Sequence, residues 1–251
     1  MTTFELIILV VLFLITSFIG VVTGSNSLIT VPVMFQFGID EKTAVATNMF
    51  GLTFMSIGAT IPFVRQGKID ARKLSPLVIL TLIGSAIGAA LVGFISNQSI
   101  KLIVSIAMIA VVIFTVLWTE KSQPTAAAGG VKKLRIIGFI AAFFLAIYGG
   151  LYSGGYVTVL TATFVAFLGM TYSESVAATK FVNVFSSSIA TLVFMWQGLV
   201  DYKLGAILAV TMFVGAYAGA NYAAKMNDVW LKRIFFVAVL LLALKTLYDF
   251  L

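Results

Sequence analysis

Lys180 stands eight residues, or ~12 Å, inside an apolar stretch that opens near residue 172. A charge at that depth in hydrocarbon is costly and is functional by default. Neutral donors accompany it: Thr179 beside it, Asn183 one turn on, and Thr47 and Asn48 in a matching segment nearer the N-terminus. With no carboxylate at the same depth, the set suits an anion held by one ammonium and a ring of N–H and O–H groups. The competing reading is a lysine whose alkyl stem snorkels to the headgroups.

Two glycine-rich breaks interrupt apolar runs in corresponding places. Residues 20–27 read GVVTGSNS and contain Gly24, Ser25 and Asn26; residues 148–156 read YGGLYSGGY and contain Ser153 and Gly154. Backbone groups freed by such a break survive in a membrane only when buried in protein or facing a watery cavity. Each break precedes a short helix whose N-terminal amides carry partial positive charge, which also suits an anion. The alternative is that the glycines merely let helices pack closely.

Other chemistries have little to work with. The chain has no cysteine and no histidine, and its carboxylates lie near loops. Metal, thiol and carboxylate-pair catalysis are therefore disfavoured, and no metal or cofactor is expected. No GxxxxGK[ST] sequence occurs, so ATP is not expected to bind.

The elements that must position these residues are membrane helices. The chain is 61% hydrophobic and only 10% charged, far from the ~25% charge of a soluble domain. Apolar runs at 4–23, 43–64, 74–95, 100–118, 135–168, 172–196, 203–224 and 229–250 mostly match the ~20 residues of a spanning helix. The N-terminus lacks the basic region of a signal peptide, so the first helix is expected to stay. The fold class expected is an all-α integral membrane protein of a bacterial-type cytoplasmic (inner) membrane.

The chain also repeats itself. Sliding it by 131 positions lays 38–118 on 169–249 without a gap, pairing Gly38 with Gly169, Gln66-Gly67 with Gln197-Gly198 and Asp70 with Asp201. About 20 of these 81 positions are identical, enough to read a duplication. A one-residue slip would lay Ala46-Thr47-Asn48 on Ala178-Thr179-Lys180. Duplication in so apolar a chain is the signature of a secondary transporter with a midplane site between its halves. The division expected is a first repeat at 1–118, a cytoplasmic linker at 119–134 and a second repeat at 135–251.

Loop charge bears on orientation. Arg65, Lys68, Arg72 and Lys73 make one loop basic, whereas the equivalent loop at 196–203 carries only Lys203. This reversal favours inverted repeats, which need an odd number of crossings each. Counting each broken run as two segments gives ten, with both termini outside; eight conventional spans is the other count. The net charge of +7 is read as topology and lipid contact rather than nucleic-acid binding. GxxxG at Gly84/Gly88 and Gly215/Gly219 suits close helix packing, within the protomer or in a homodimer. Trp118, Trp196 and Trp230 fall near span ends as interfacial anchors.

The break, followed by Val31-Pro32, Gly38 and AVATN from Ala44, and repeated weakly in the second half, resembles the TauE/SafE family of sulfite exporter-like permeases. The resemblance covers essentially the whole chain. It implies a permease for a small anion, sulfite or an organosulfonate foremost. The chain departs from the family at GSNS, where a run of glycines is usual, and at Thr161-Ala162, which stands where the first half has Val31-Pro32. On this reading Gly24, Ser25, Asn26, Thr47, Asn48, Ser153, Gly154, Thr179, Lys180 and Asn183 are the expected contacts of an anion carried by alternating access. A passive anion channel and an intramembrane enzyme are the rival classes.

Overall fold

The computed structural model describes residues 2–24, 26–117 and 131–227, together with Trp230 and Arg233. The described residues form nine helices and no strand: α1 (Thr3–Thr23), α2 (Ser27–Gln36), α3 (Glu41–Arg65), α4 (Ala71–Val92), α5 (Asn97–Leu117), α6 (Val131–Leu151), α7 (Tyr156–Leu168), α8 (Tyr172–Trp196) and α9 (Tyr202–Ala223). Six of them, α1, α3, α4, α6, α8 and α9, are long and apolar enough to cross a membrane. Helices of this kind belong to a cytoplasmic-type bilayer rather than to the alternating strands of outer-membrane barrels.

Helix starts are written in polar side chains. Thr2 with Glu5 and Thr171 with Glu174 form capping boxes, and Asp40, Asp70 and Asp201 cap α3, α4 and α9. With Glu41 in the first turn of α3, every described acidic residue sits at a helix N-terminus. The carboxylates are thus structural, and they sit where a helix dipole favours negative charge.

The expected duplication reappears in the backbone. The positive-φ glycines of the described chain come as Gly24 and Gly155, Gly38 and Gly169, and Gly67 and Gly198, each pair 131 residues apart. Helices α3 and α8, and α4 and α9, also start and end 131 residues apart. The one-residue slip is not needed. Asn48 corresponds to Thr179, and the position equivalent to Lys180 is Met49.

Both breaks are narrower than the sequence reading. The helix α1 continues through Gly20 to Thr23, where Gly24, at φ 69°, sends its N–H back to Gly20 O at 2.9 Å. Helix α6 likewise continues through Gly149 and Gly150 to Leu151. These glycines remain helical because their bare faces take the Tyr156 ring and the Ser85 backbone. Helix α6 begins at Val131, ahead of the expected 135. The rest of the expected linker, Trp118 and most of the tenth apolar run lie outside the described residues.

The halves interlock. Helix α4 packs on α6 and α9 on α1; α3 packs on α9 and α8 on α4; α3 and α8 meet across the middle. The GxxxG glycines make the first two contacts. A Cβ at Gly84 would lie 2.9 Å from Phe143 O, one at Gly215 2.6 Å from Leu14 O, and those at Gly88 and Gly219 would fall on Ile147 O and Phe18 O. Small residues here let backbones approach, as membrane helix pairs require. Ile79, Ile83, Ile87 and Leu91, spaced by four along α4, are exposed and form a lipid-facing stripe.

Contacts at the helix ends sort them into two faces. Lys68, after α3, donates to Ala224 O at 2.5 Å and to Ser173 Oγ at 3.3 Å, which joins the end of α3 to the end of α9 and the start of α8. At the other face Lys42 donates to Gly93 O (3.3 Å), Gln197 to Ala90 O (3.2 Å) and Asp201 N–H to Thr47 Oγ1 (3.0 Å). Equivalent helices α3 and α8 therefore run in opposite directions.

Candidate functional site

The two breaks lie back to back. A Cβ on Gly24 would come within 2.7 Å of the Thr158 nitrogen, so only glycine fits where α1 ends against the start of α7. Three hydrogen bonds tie the breaks across the repeats: Ser27 Oγ with Ser153 Oγ at 2.8 Å, Tyr152 O–H to Ser27 O at 2.9 Å and Thr158 O–H to Thr23 O at 2.6 Å. The short helices α2 and α7 start here without a side-chain cap, unlike the capped helices α1, α3, α4, α8 and α9. Their N-terminal amides are thus turned to the middle of the protein, where a cap would otherwise have shielded their partial positive charge.

Between these starts and the crossing of α3 with α8 lies a cavity. It is lined by Gly20, Gly24, Asn26, Ser27, Leu52, Met55, Ser56, Ser153, Val157, Lys180 and Asn183. About 10 Å³ of it is open to the centre of a water-sized sphere, room for about one water molecule. Lys180 is 3% exposed and does not snorkel; its ammonium donates to Gly20 O at 2.8 Å. Asn183 donates to Ser56 Oγ at 2.7 Å, and Asn26 to Ser17 Oγ at 2.8 Å and to Met55 Sδ at 3.5 Å. None of the lining residues is acidic, so the cavity carries positive charge and an excess of donors.

Five of the residues expected from the sequence come together on this cavity: Gly24, Asn26, Ser153, Lys180 and Asn183. Asn48 stands just behind it, donating to Ser27 Oγ at 2.9 Å and accepting from Thr30 Oγ1 at 2.9 Å. Thr179 makes the equivalent contact in the second half, with Thr161 at 3.2 Å, and does not reach the lining. Thr47 is turned toward the start of α9, and the carbonyl of Gly154 accepts from the Tyr148 hydroxyl; neither lines the cavity. Ser25 lies outside the described residues. The hydroxyl of Tyr156 has no partner among the described residues and faces Thr81 and Ser186 rather than the cavity.

Sequence reasoning missed Met55 and Ser56 on α3. The signal available for Ser56 was its identity with Ser187, its repeat partner, in a span where polar side chains are rare. Among the described residues no group of His, Cys, Asp and Glu could hold a metal ion.

The chain resembles bacterial membrane proteins over nearly its whole length. It is 26% identical to a probable membrane transporter protein, ORF9, of a Sinorhizobium species, with 94% of this chain and 89% of that protein aligned. It is 24% identical to the probable membrane transporter protein YfcA of Escherichia coli K12, over 94% and 87% of the two chains. It is also 24% identical to YdhB of Bacillus subtilis, a probable membrane transporter protein, over 97% and 100%. No solved structure matches significantly. The family model described as sulfite exporter TauE/SafE matches residues 8–246. With its six long apolar helices, its interlocked halves and that match, the chain is an integral membrane transporter and belongs to the TauE/SafE family.

Proposed function

We propose that the protein is a secondary transporter of a small anion, sulfite or an organosulfonate foremost, held at a midplane site between the repeats and exposed to either side in turn. The observation that carries this reading is the buried Lys180 ammonium in a cavity that meets two uncapped helix starts and no lining carboxylate. Such a site would replace an anion's hydration with fixed donors. Any proton coupling rides on the anion or on Lys180, since no histidine exists and the described acids are engaged at helix starts.

The repeats are read as inserted in opposite senses, as ten segments. This is supported by the opposed directions of α3 and α8 and by the gathering of Arg65, Lys68 and Lys225 at one face. The positive-inside rule makes that face cytoplasmic. Since both GxxxG motifs are engaged inside the protomer, a homodimer would use the lipid-facing surface.

The test is uptake and current in proteoliposomes given sulfite, thiosulfate, an alkanesulfonate or a carboxylate, with wild type beside Lys180→Met. Saturable, counter-exchanging uptake of one anion, abolished in a folded variant, is expected. Ohmic current would replace the carrier with a channel, and silence across the panel would overturn the substrate class.

A further inference from the structure

An anion bound midway needs a route to each face, and the duplication places one matched pair of hydroxyls on each side of the cavity. Ser56 and Thr60 are one turn apart on α3; Ser187 and Thr191 are one turn apart on α8 and hold the same positions 131 residues later. All four are buried. Ser56 lines the cavity and accepts from Asn183, whose own backbone carbonyl takes the Ser187 hydroxyl at 2.6 Å. Thr191 faces Thr53 of α3 at 3.1 Å, so the hydroxyls continue along the seam between the two helices.

Direction follows from helix polarity. Going from Ser56 to Thr60 leads from the cavity toward Arg65 and Lys68. Going from Ser187 to Thr191 leads toward Gln197 and Lys42 at the other face. Along α8 the stretch from Lys180 to the helix end is ~24 Å, and Asn183, Ser187 and Thr191 recur on it every four residues, in one line. Helix association explains a hydroxyl pair across one interface. It gives no reason for the same pair to recur on both sides of a cavity, on helices running in opposite directions.

We propose that Ser56 and Thr60 line the anion's route to the Arg65 face, and Ser187 and Thr191 its route to the Gln197 face. The inference rests on the transporter reading above. Each pair would hand the anion donors as it leaves Lys180 for water, and the two routes would open alternately.

The chain has no cysteine, so Thr60→Cys and Thr191→Cys each introduce a lone thiol. An anionic, membrane-impermeant methanethiosulfonate reagent is applied to sealed vesicles of known orientation, from one side at a time. Thr191→Cys is expected to be modified only from the Gln197 face and Thr60→Cys only from the Arg65 face. Ser186→Cys, whose native hydroxyl meets Ser85 of α4 at 2.6 Å, lies off the route and is expected to stay unmodified. Where a threonine variant fails to fold, Ser56→Cys and Ser187→Cys carry the same test with a nearly isosteric change. Absence of modification at both pairs, in vesicles whose protein still takes up sulfite, would overturn the routes and leave the transporter standing. Modification of both from one face would overturn the assignment of one route to each side.

Discussion

Lys180 Nζ donates across 2.8 Å to the carbonyl oxygen of Gly20, the same oxygen that receives the Gly24 N–H and ends α1. A cation of the second repeat thereby closes the C-terminal end of a helix of the first. A helix C-terminus carries about half a negative charge. It therefore neutralises the ammonium only in part, and an anion entering the cavity competes with Gly20 for it.

Lys180→Met is expected to abolish anion uptake without unfolding the protein. Losing the charge partner of a bound, desolvated anion costs about 2–5 kcal/mol, or at least ~30-fold in affinity. Stability in detergent is expected to hold or rise, because the variant removes a buried ammonium with no acidic partner. A large fall in thermal midpoint would show Lys180 to be structural.

Tyr152→Phe separates the cross-repeat tie from the charge. It removes the hydrogen bond to Ser27 O and leaves the ring in place, at a cost of about 0.6–1.7 kcal/mol by the scale of membrane hydrogen bonds. The expected outcome is a modest drop in unfolding free energy and a changed KM, read from the same proteoliposomes. An unchanged KM would mean that the position of Ser27 does not matter to the site.

Glycines of two kinds are expected to behave differently. A methyl on Gly88 meets the Ile147 carbonyl of α6, where both partners are backbone, so Gly88→Ala is expected to reach the upper end of the ~1–3 kcal/mol cost of overpacking. Gly38→Ala meets nothing within 4 Å but keeps φ near 74°, and is expected to cost only about 1 kcal/mol of backbone strain. Chemical unfolding of the two variants side by side checks the order.

Asp70 gives a local pH dependence. Its carboxylate accepts the Lys73 backbone N–H, which with the Lys73 side chain and the Arg72 N–H holds its pKa below the ordinary 3.8. A lowered folded pKa means that the cap is fully present above the ordinary value and is lost as pH falls through the folded one. Protection of the Lys73 amide against hydrogen exchange is expected to drop in acid in wild type and to stay flat in Asp70→Asn, where a neutral cap remains. A flat wild-type profile would remove the charge from the cap.

Much of the fold was legible because its signals are local. Apolar runs marked the spans, Asp70 and Asp201 marked equivalent helix starts, and the two glycine clusters marked the breaks. Lys180 and Asn183 were legible because polar side chains are rare at that depth. What escaped was set by tertiary contact. Gly149 and Gly150 read as part of a break, yet they stay helical because Tyr156 and α4 fill the space beside them. Thr47 and Thr179 carry the right chemistry but are turned toward other partners. The partner of Lys180 is a backbone carbonyl, and every residue has one, so no sequence pattern points to it.

The 131-residue register gives the chain an alignment against itself. The left-handed turns at Gly24, Gly38 and Gly67 were kept in the second copy, as was the aspartate cap, and these are the places where the backbone has no alternative. Met49 and Lys180, Leu52 and Asn183, and Met55 and Ser186 have instead drifted apart at matching places around the cavity. One molecule therefore separates two kinds of constraint: what folding demands is present twice, and what the cargo demands is present once.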